Sequence, residues 1–376
     1  MAYTDIMDYS TRQNRLMERI QVDGLEALVV NPGPSLKYLT GLSFHLMERP
    51  VVVIFTPQSH PVIILPGLEA AKTSDLPYPI TAFTYGEDPS SWNAVFSQAA
   101  EASGLSASRL VGVEPRSLRV LELRFLEEAA PQAEFIAAEE TIASLRIFKD
   151  SNELDSMRKA VDIAQQALLA TLPIIKAGVT EKQIAAELTV QLLRSGSDPE
   201  LAFSPIVSGG PNAANPHASP SNRKLQPGDL LVIDWGATYN GYISDITRTF
   251  AIGQPDAEMS RIARIVAEAN IAARTAAGPE VTAAEVDASA RRVIEQAGYG
   301  QFFIHRTGHG IGMEGHEAPY IRPGNESPLH PGMTFTIEPG IYLPNRNGVR
   351  IEDNVVITAT GIECLTSLPR ELHILG

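Results

Sequence analysis

Asp234, Asp245, His309, Glu338 and Glu352 stand in the segments VIDWGA, YISDITRTF, HRTGHGIG, TIEPG and VRIEDNV of a 376-residue chain. Four carboxylates and one imidazole make a donor set rich in hard oxygen, which suits a pair of divalent ions such as Mn²⁺ or Co²⁺ better than a thiolate-seeking metal. Zn²⁺ and Fe²⁺ tolerate the same set. The chemistry such a pair supports is hydrolysis by water activated between two ions.

The first two acids lie eleven residues apart and flank Tyr239-Asn240-Gly241-Tyr242. Asn-Gly between alternating apolar runs is the strongest short-range signal for a two-residue hairpin loop. Tyr239 should then pair with Tyr242, which sets Asp234 opposite Thr247 and Asp245 one diagonal step away. Strand alternation puts both carboxylates on one sheet face, with Cβ atoms roughly 7–8 Å apart. Ions about 3.5–4 Å from each other fit between them.

Each candidate has an ordinary reading when taken alone. Asp beside a turn is commonly solvated, a lone histidine is more often structural than a ligand, and a glutamate on a strand face is usually exposed. His309 lies within Gly308-His309-Gly310-Ile311-Gly312, where glycines allow close backbone approach. A phosphate-loop reading of that stretch is weak, because no GK[ST] follows. Glu338 closes the run FTIE before Pro339-Gly340, and Arg350 and Glu352 share a face of VRIEDNVV. Together these acids interrupt hydrophobic strands, where an unpaired buried carboxylate is expensive. The ordinary readings therefore fail jointly.

The order of two hairpin aspartates, a GHGIG histidine, a TIEPG glutamate and an RIED glutamate resembles the metallopeptidases with the pita-bread fold. These include methionine aminopeptidase, aminopeptidase P and prolidase (Xaa-Pro dipeptidase), with creatinase as a metal-free relative. The resemblance covers roughly residues 150–376. It implies that Asp234, Asp245, His309, Glu338 and Glu352 hold two divalent ions. Further residues are similar to the proline-specific branch: His316, seven after His309; His217, seventeen before Asp234; Arg350, two before Glu352; Tyr342, four after Glu338; and His305, four before His309.

What the resemblance implies is a metal-dependent Xaa-Pro peptidase acting on a small peptide with proline second. Glu338 would also carry the water's proton to the leaving nitrogen. His316 and His217 would hydrogen-bond the substrate carbonyl and the developing oxyanion, and Arg350 would orient acidic ligands by bidentate bonding. Proline lacks the backbone N–H that most peptidases read, so the site must recognise the imide ring. Two other readings compete: a creatinase-like small-amide hydrolase or lyase on the same scaffold, and a non-catalytic pita-bread binding protein. Relatives of those kinds have lost or altered ligands; all five are intact here.

The elements that must position these residues divide the chain in two. Strand-like Ala27–Val30, Val51–Phe55 and Val62–Leu65 with helix-like Arg12–Val22 and Ser117–Ala129 predict an α/β unit over residues 1–145. It resembles the creatinase-type N-terminal domain, which methionine aminopeptidases lack. In the family that domain helps bound the substrate cleft and forms dimer contacts, which implies a homodimer. Tyr38, His45 and Arg49 are candidates to face a neighbouring active site.

Residues 146–376 read as the catalytic domain, an α+β layer architecture. Helices are expected at Leu154–Lys176, with Asp150 or Ser151 as cap, and from Thr180 through Leu193; two more are expected at Ser260–Ala277 and Val281–Ala297. Strands near 230–238, 242–251, 333–338 and 348–358 would complete an antiparallel sheet. Helix pair, strand pair, helix pair, strand pair forms a weak internal symmetry that brings ligands from both halves to one site.

Composition excludes other classes. Thirty basic against 44 acidic residues, a net charge of −14, argue against a nucleic-acid surface. The only cysteine, Cys364, excludes an intrachain disulfide and a CxxC metal site. No signal pattern shows in MAYTDIMDYSTRQNRLMERI and no apolar run approaches the ~18 residues of a membrane span. A cytoplasmic protein is expected.

Overall fold

The computed structural model describes residues 8–376, so the first seven residues of the segment read for a targeting signal lie outside the described residues. Two compact units are present, one ending at Arg146 and the other spanning Ile147–Gly376. No helix among the described residues is long and apolar enough to cross a membrane.

The first unit runs α1 (Tyr9–Val22), β1 (Ala27–Val30), α2 (Pro34–Thr40), β2 (Val52–Phe55), β3 (Val62–Pro66) and β4 (Thr81–Tyr85). It continues with α3 (Trp92–Ser103), β5 (Leu110–Val113), α4 (Val120–Ala129), β6 (Glu134–Ala137) and α5 (Glu139–Arg146). The strands form one mixed sheet in the order β4-β3-β2-β1-β5-β6. Every residue of β1, β2 and β3 is buried, as continuous runs such as ALVV and VVIF require when both faces are covered.

Tyr38 corrects an expectation. It is 2% exposed, donates its hydroxyl to the Leu145 carbonyl at 3.0 Å and lies under the Arg12 guanidinium, so it belongs to this unit's interior rather than to any outward face. Its position on α2, one residue after Lys37 and amid buried Leu36 and Leu39, is what turns it inward. Arg49 pairs with Glu48 and Glu87, and His45 is exposed.

The second unit opens with α6 (Ser151–Thr171) and α7 (Glu181–Arg194), then β7 (Ile206–Gly209), β8 (Leu230–Trp235), the short pair β9 (Thr238–Tyr239) and β10 (Tyr242–Ile243), and β11 (Ile246–Ile252). Next come α8 (Ala257–Ala276), α9 (Ala283–Gln296), β12 (Gly308–Gly310), β13 (Glu317–Ile321), β14 (Thr334–Ile337), β15 (Gly340–Leu343) and β16 (Asn347–Arg350). Strands β17 (Asp353–Ile357), β18 (Ile362–Cys364) and β19 (His373–Leu375) close the chain.

Local chemistry explains where the helices begin. Asp150, Thr180 and Thr282 each accept from the backbone N–H three residues on, while Glu153, Gln183 and Glu285 reach back to the cap's own N–H. These reciprocal pairs satisfy two otherwise orphaned donors per helix. Asp256 caps α8 through the Met259 N–H. Helices α6 and α7 bury Ile163, Leu168, Ile184 and Leu188 with Leu231, Ile233 and Trp235. Helices α8 and α9 bury Ile262, Val266, Val286 and Ile294 with Phe335, Ile337 and Val355.

The expected single sheet is two larger sheets and two two-stranded ribbons, β9-β10 and β15-β16. One larger sheet has the order β19-β11-β8-β7, with β19 parallel to β11; the other is antiparallel in the order β13-β12-β14-β17-β18. They meet where Thr247 bridges Glu352. The hairpin turn itself is as its residues demand, with Asn240 at φ 53° and Gly241 at φ 81°. Tyr239 pairs with Tyr242 and Asp234 with Thr247. Between these pairs the ladder breaks, and Asp245 falls in the break.

Candidate active site

The break at Asp245 frees its backbone to bond across the seam. Its N–H donates to Asn354 Oδ1 at 3.0 Å, and Asn354 Nδ2 donates to its carbonyl. Two residues on, Thr247 accepts the Glu352 N–H at 3.0 Å and donates its hydroxyl to Glu352 Oε2 at 2.7 Å. Asp234 on β8 is set by the hairpin register, and Glu338, just past β14, is pinned by its N–H to the Thr307 carbonyl at 2.7 Å. His309 sits between two glycines for a steric reason: a Cβ at Gly308 would overlap the Thr336 carbonyl, and one at Gly310 the Ala318 carbonyl. The strand β12 is squeezed between β13 and β14, and only GHG fits there.

These elements bring all four acids and the imidazole to one cavity of about 670 Å³. One donor atom each of Asp245, His309 and Glu352 lies within 4.8 Å of the others. His309 Nε2 stands 3.7 Å from Asp245 Oδ2 and 3.3 Å from Glu338 Oε1. Burial first, then the neighbouring Glu352, Asp234 and Glu338, holds Asp245 well above the usual carboxylate range. Burial, then Glu338 and Asp234, does the same for Glu352. Burial, with Asp234 beside it, raises Glu338 to about 7.

Burial pushes His309 down to about 3, so the ring is neutral near pH 7. Its Nδ1 lies 3.1 Å from the Gly310 carbonyl, which assigns the proton to Nδ1 and leaves the Nε2 lone pair facing carboxylate oxygens. Acceptors aimed at one another need a cation or a shared proton between them. Oδ1 of Asp234 and Oδ1 of Asp245 are likewise buried without a hydrogen-bond partner. Orphaned carboxylate oxygens beside a neutral imidazole fit a pair of divalent ions, and nothing else on these side chains satisfies them.

The remaining expected residues divide by distance from the cavity. His217, His305, His316 and Arg350 line it. His316 reaches the solvent side of the cavity, its ring centroid 4.0 Å from that of His309, and partial burial of the ring, then the charge of Arg306, lowers its proton affinity. His305 is held by a chain: Nδ1 donates to the Arg306 carbonyl at 2.7 Å, Nε2 accepts from the Tyr342 hydroxyl at 2.8 Å, and that oxygen accepts from Arg350 Nη1 at 3.0 Å. Burial keeps His305 neutral, at about 4, as this pattern requires. Tyr342 is 2% exposed and stands behind the cavity wall, so whatever it does passes through His305 and Arg350.

Arg350 departs from the expected fork. It gives Asp234 a single bond, Nη2 to Oδ2 at 2.7 Å, while Nε reaches Thr247 at 3.1 Å and Nη1 serves Tyr342 and the Pro216 carbonyl. The reason is the crossing of β16 and β11 at Thr249, whose hydroxyl bonds both the Arg350 N–H and its carbonyl, turning the guanidinium edge-on to Asp234. Removing that side chain should leave the Asp234 carboxylate buried with one bond fewer. Arg350→Ala is expected to lower kcat roughly 10- to 100-fold while a metal titration still shows binding, weaker than in the parent.

Reading the sequence passed over three contributors: Thr247 and Asn354, which join the sheets, and Arg306, which lines the cavity with Phe203 and Ile206. Thr247 had a signal, its place opposite Asp234. Asn354 had none, since its partner is 109 residues away.

One mixed and one antiparallel sheet, each backed by a helix pair, with a carboxylate-rich centre and a neutral imidazole at their seam, define a metallohydrolase. The description Metallopeptidase family M24 matches residues 155–359, and Creatinase/Prolidase N-terminal domain matches residues 12–148. The chain belongs to the M24 metallopeptidases, whose cofactors are divalent metals, and its fold is the pita-bread fold preceded by a creatinase-type domain. It is 36% identical to the Xaa-Pro dipeptidase of Lactobacillus delbrueckii subsp. lactis over 96% of this chain and 98% of that one. The crystal structure of a prolidase from Thermococcus sibiricus superposes with a TM-score of 0.92 at 33% identity, covering 98% and 100% of the two chains. An X-Pro aminopeptidase from Thermotoga maritima gives 0.84 at 31% identity, covering 96% and 99%.

Proposed function

We propose that this chain is a metal-dependent Xaa-Pro peptidase that hydrolyses the bond before proline. The observation that carries the reading is the junction, in one cavity, of the orphaned carboxylates with His217, His316 and the apolar wall of Phe203, Ile206 and Pro216. Asp234, Asp245, His309, Glu338 and Glu352 would hold two ions, Mn²⁺ or Co²⁺ in preference, with a catalytic domain over 146–376 and a creatinase-like domain over 1–145. Such ions, when bound, lower the pKa of water toward neutrality and polarise the scissile carbonyl.

The chain's own residues do the rest. Glu338 accepts the proton of the attacking water and delivers it to the proline nitrogen as the C–N bond breaks, giving a free carboxylate and a proline amine. His316 and His217, both on the cavity's exposed side, donate to the carbonyl oxygen as negative charge grows on it. His305, Tyr342 and Arg350 hold this arrangement and Asp234 in place. The apolar wall seats the imide ring, which offers no N–H to bond. A homodimeric state and a cytoplasmic location belong to the same reading and rest on the family resemblance.

Recognition of the ring is tested by comparing Ala-Pro, Ala-(N-methyl)Ala and Ala-Ala. The wild type is expected to cleave Ala-Pro fastest, with N-methylalanine second. Equal rates on Ala-Pro and Ala-Ala would contradict proline selectivity while leaving a metallopeptidase.

A further inference from the structure

His217 faces the cavity from its solvent side, and its ring makes no hydrogen bond among the described residues. Only its N–H is bonded, to Asn215 Oδ1 at 3.1 Å. The ring therefore stands wherever its loop stands. That loop leaves β7 at Gly209, passes through the short helical turn Gly210–Ala214 and returns to α7 where Lys182 N–H meets the Ser221 carbonyl. At its crest the Pro216 carbonyl accepts from Arg350 Nη1 at 3.3 Å.

The foot of the loop closes on one side chain. Glu181, the first residue of α7, is fully buried, and it takes both ends of the loop. Its Oε1 accepts the Gly209 N–H at 2.8 Å, and its Oε2 accepts the Ser221 N–H at 2.9 Å and the Ser221 hydroxyl at 2.6 Å. Asn212 Nδ2 donates to both oxygens at 3.0 Å. All of these donors belong to the loop.

A helix start of this kind does not itself need a carboxylate. Helix α9 begins in the same way, its cap Thr282 bridging Pro328 as Thr180 bridges Lys224, and the N–H groups of Ala283 and Ala284 meeting the Ser327 and Asn325 carbonyls. The residue in the place of Glu181 there is a buried alanine, Ala283. A glutamate serving only the helix dipole would do so from the surface. What sets the α7 loop apart is that it carries Pro216 and His217 to the cavity.

Resting on the peptidase reading above, we propose that Glu181 is the positioning residue of His217: by clamping Gly209, Asn212 and Ser221 it holds the imidazole in place before negative charge grows on the substrate carbonyl oxygen. Hydrogen bonds to a buried carboxylate are strong, and each donor is costly to leave unmet. A glutamine of the same shape must turn its NH₂ toward at least two of these donors, so it releases the loop.

The test uses the metal-loaded full chain and measures kcat and KM on Ala-Pro for Glu181→Gln, alone and combined with His217→Ala or His316→Ala. Glu181→Gln should lower kcat roughly 10- to 100-fold, part of the worth of an oxyanion donor, with KM and metal content little changed. In the His217→Ala background the same substitution should cost within about 2-fold, whereas in His316→Ala it should cost its full factor. Glu181→Asp should keep part of the rate, and Asn212→Ala, which removes one donor and leaves the others, should give a smaller loss that again disappears with His217→Ala. Hydrogen exchange of residues 209–221 should quicken in Glu181→Gln while that of residues 325–328 stays as it was. An undiminished loss in the His217→Ala background, an unchanged kcat, or a loss that follows lost metal would overturn the proposal. Turnover of no peptide by the wild type sinks the peptidase reading, and the exchange of residues 209–221 then decides on the clamp alone; unchanged exchange overturns it in either case.

Discussion

Glu338→Ala is expected to stop peptide hydrolysis, with a loss of at least about 10⁴-fold, because general-base catalysis alone contributes up to that factor and the carboxylate is a proposed ligand as well. Glu338 Oε1 sits 3.3 Å from His309 Nε2, inside the proposed ligand cluster. Glu338→Gln separates the roles. It keeps the shape and a neutral oxygen donor but cannot accept the proton, and its loss should approach that of alanine. In the metal-free protein the same glutamine substitution should raise Tm at neutral pH, since it removes one of four crowded acids. Steady-state rates with metal content measured on the same samples check both statements. An active Glu338→Ala enzyme that carries its metal would refute the assigned role.

The second large effect is the dependence of stability on metal and pH together. Without cations, burial and mutual repulsion hold Asp245 and Glu352 well above the carboxylate range and Glu338 at about 7. The folded chain therefore retains protons that the unfolded chain has released between the ordinary carboxylate pKa and about 7. The stability contributed by these acids is full below that interval and falls as pH rises through it. For Glu338 alone the change is on the order of 3 kcal/mol. His309, neutral in the folded chain above about 3 but protonated in the unfolded chain below the ordinary histidine pKa, opposes that fall over the lower part of the interval.

Divalent ions replace those protons, so their stabilisation should grow with pH. Thermal unfolding with and without a chelator should show a small difference at pH 5 and a large one at pH 8. Equal differences at both values would mean that the acids do not share a cation.

Much of this was legible in the chain because its strongest signals are local. Asn240-Gly241 dictates one turn, the turn dictates the register, and the register puts Asp234 opposite Thr247. Asp150, Thr180 and Thr282 announce their helices through a partner three residues away. The glycines around His309 mark a strand with no room for side chains beside it. What stayed hidden depends on distant contacts. The split into two sheets turns on Asn354 reaching Asp245, and the parallel edge strand β19 is only His373–Leu375 beside β11.

Strand β7 is short and ends in Ser-Gly, so its pattern carries no alternation to read. Tyr38 is drawn inward by a carbonyl at Leu145, and Arg350 is turned by Thr249; neither cause lies within ten residues of its effect in the chain. Arg306 stands within HRTGHGIG with no local signal of a role, because an arginine shows its lack of a partner only when its surroundings are known.

The most direct measurement is release of free proline from Ala-Pro by the metal-stripped protein and by the same protein after Mn²⁺ or Co²⁺ is restored. Proline should appear only after restoration, and should vanish again with chelator. No release with any divalent ion, or equal release from stripped and restored protein, would contradict a metal-dependent proline peptidase.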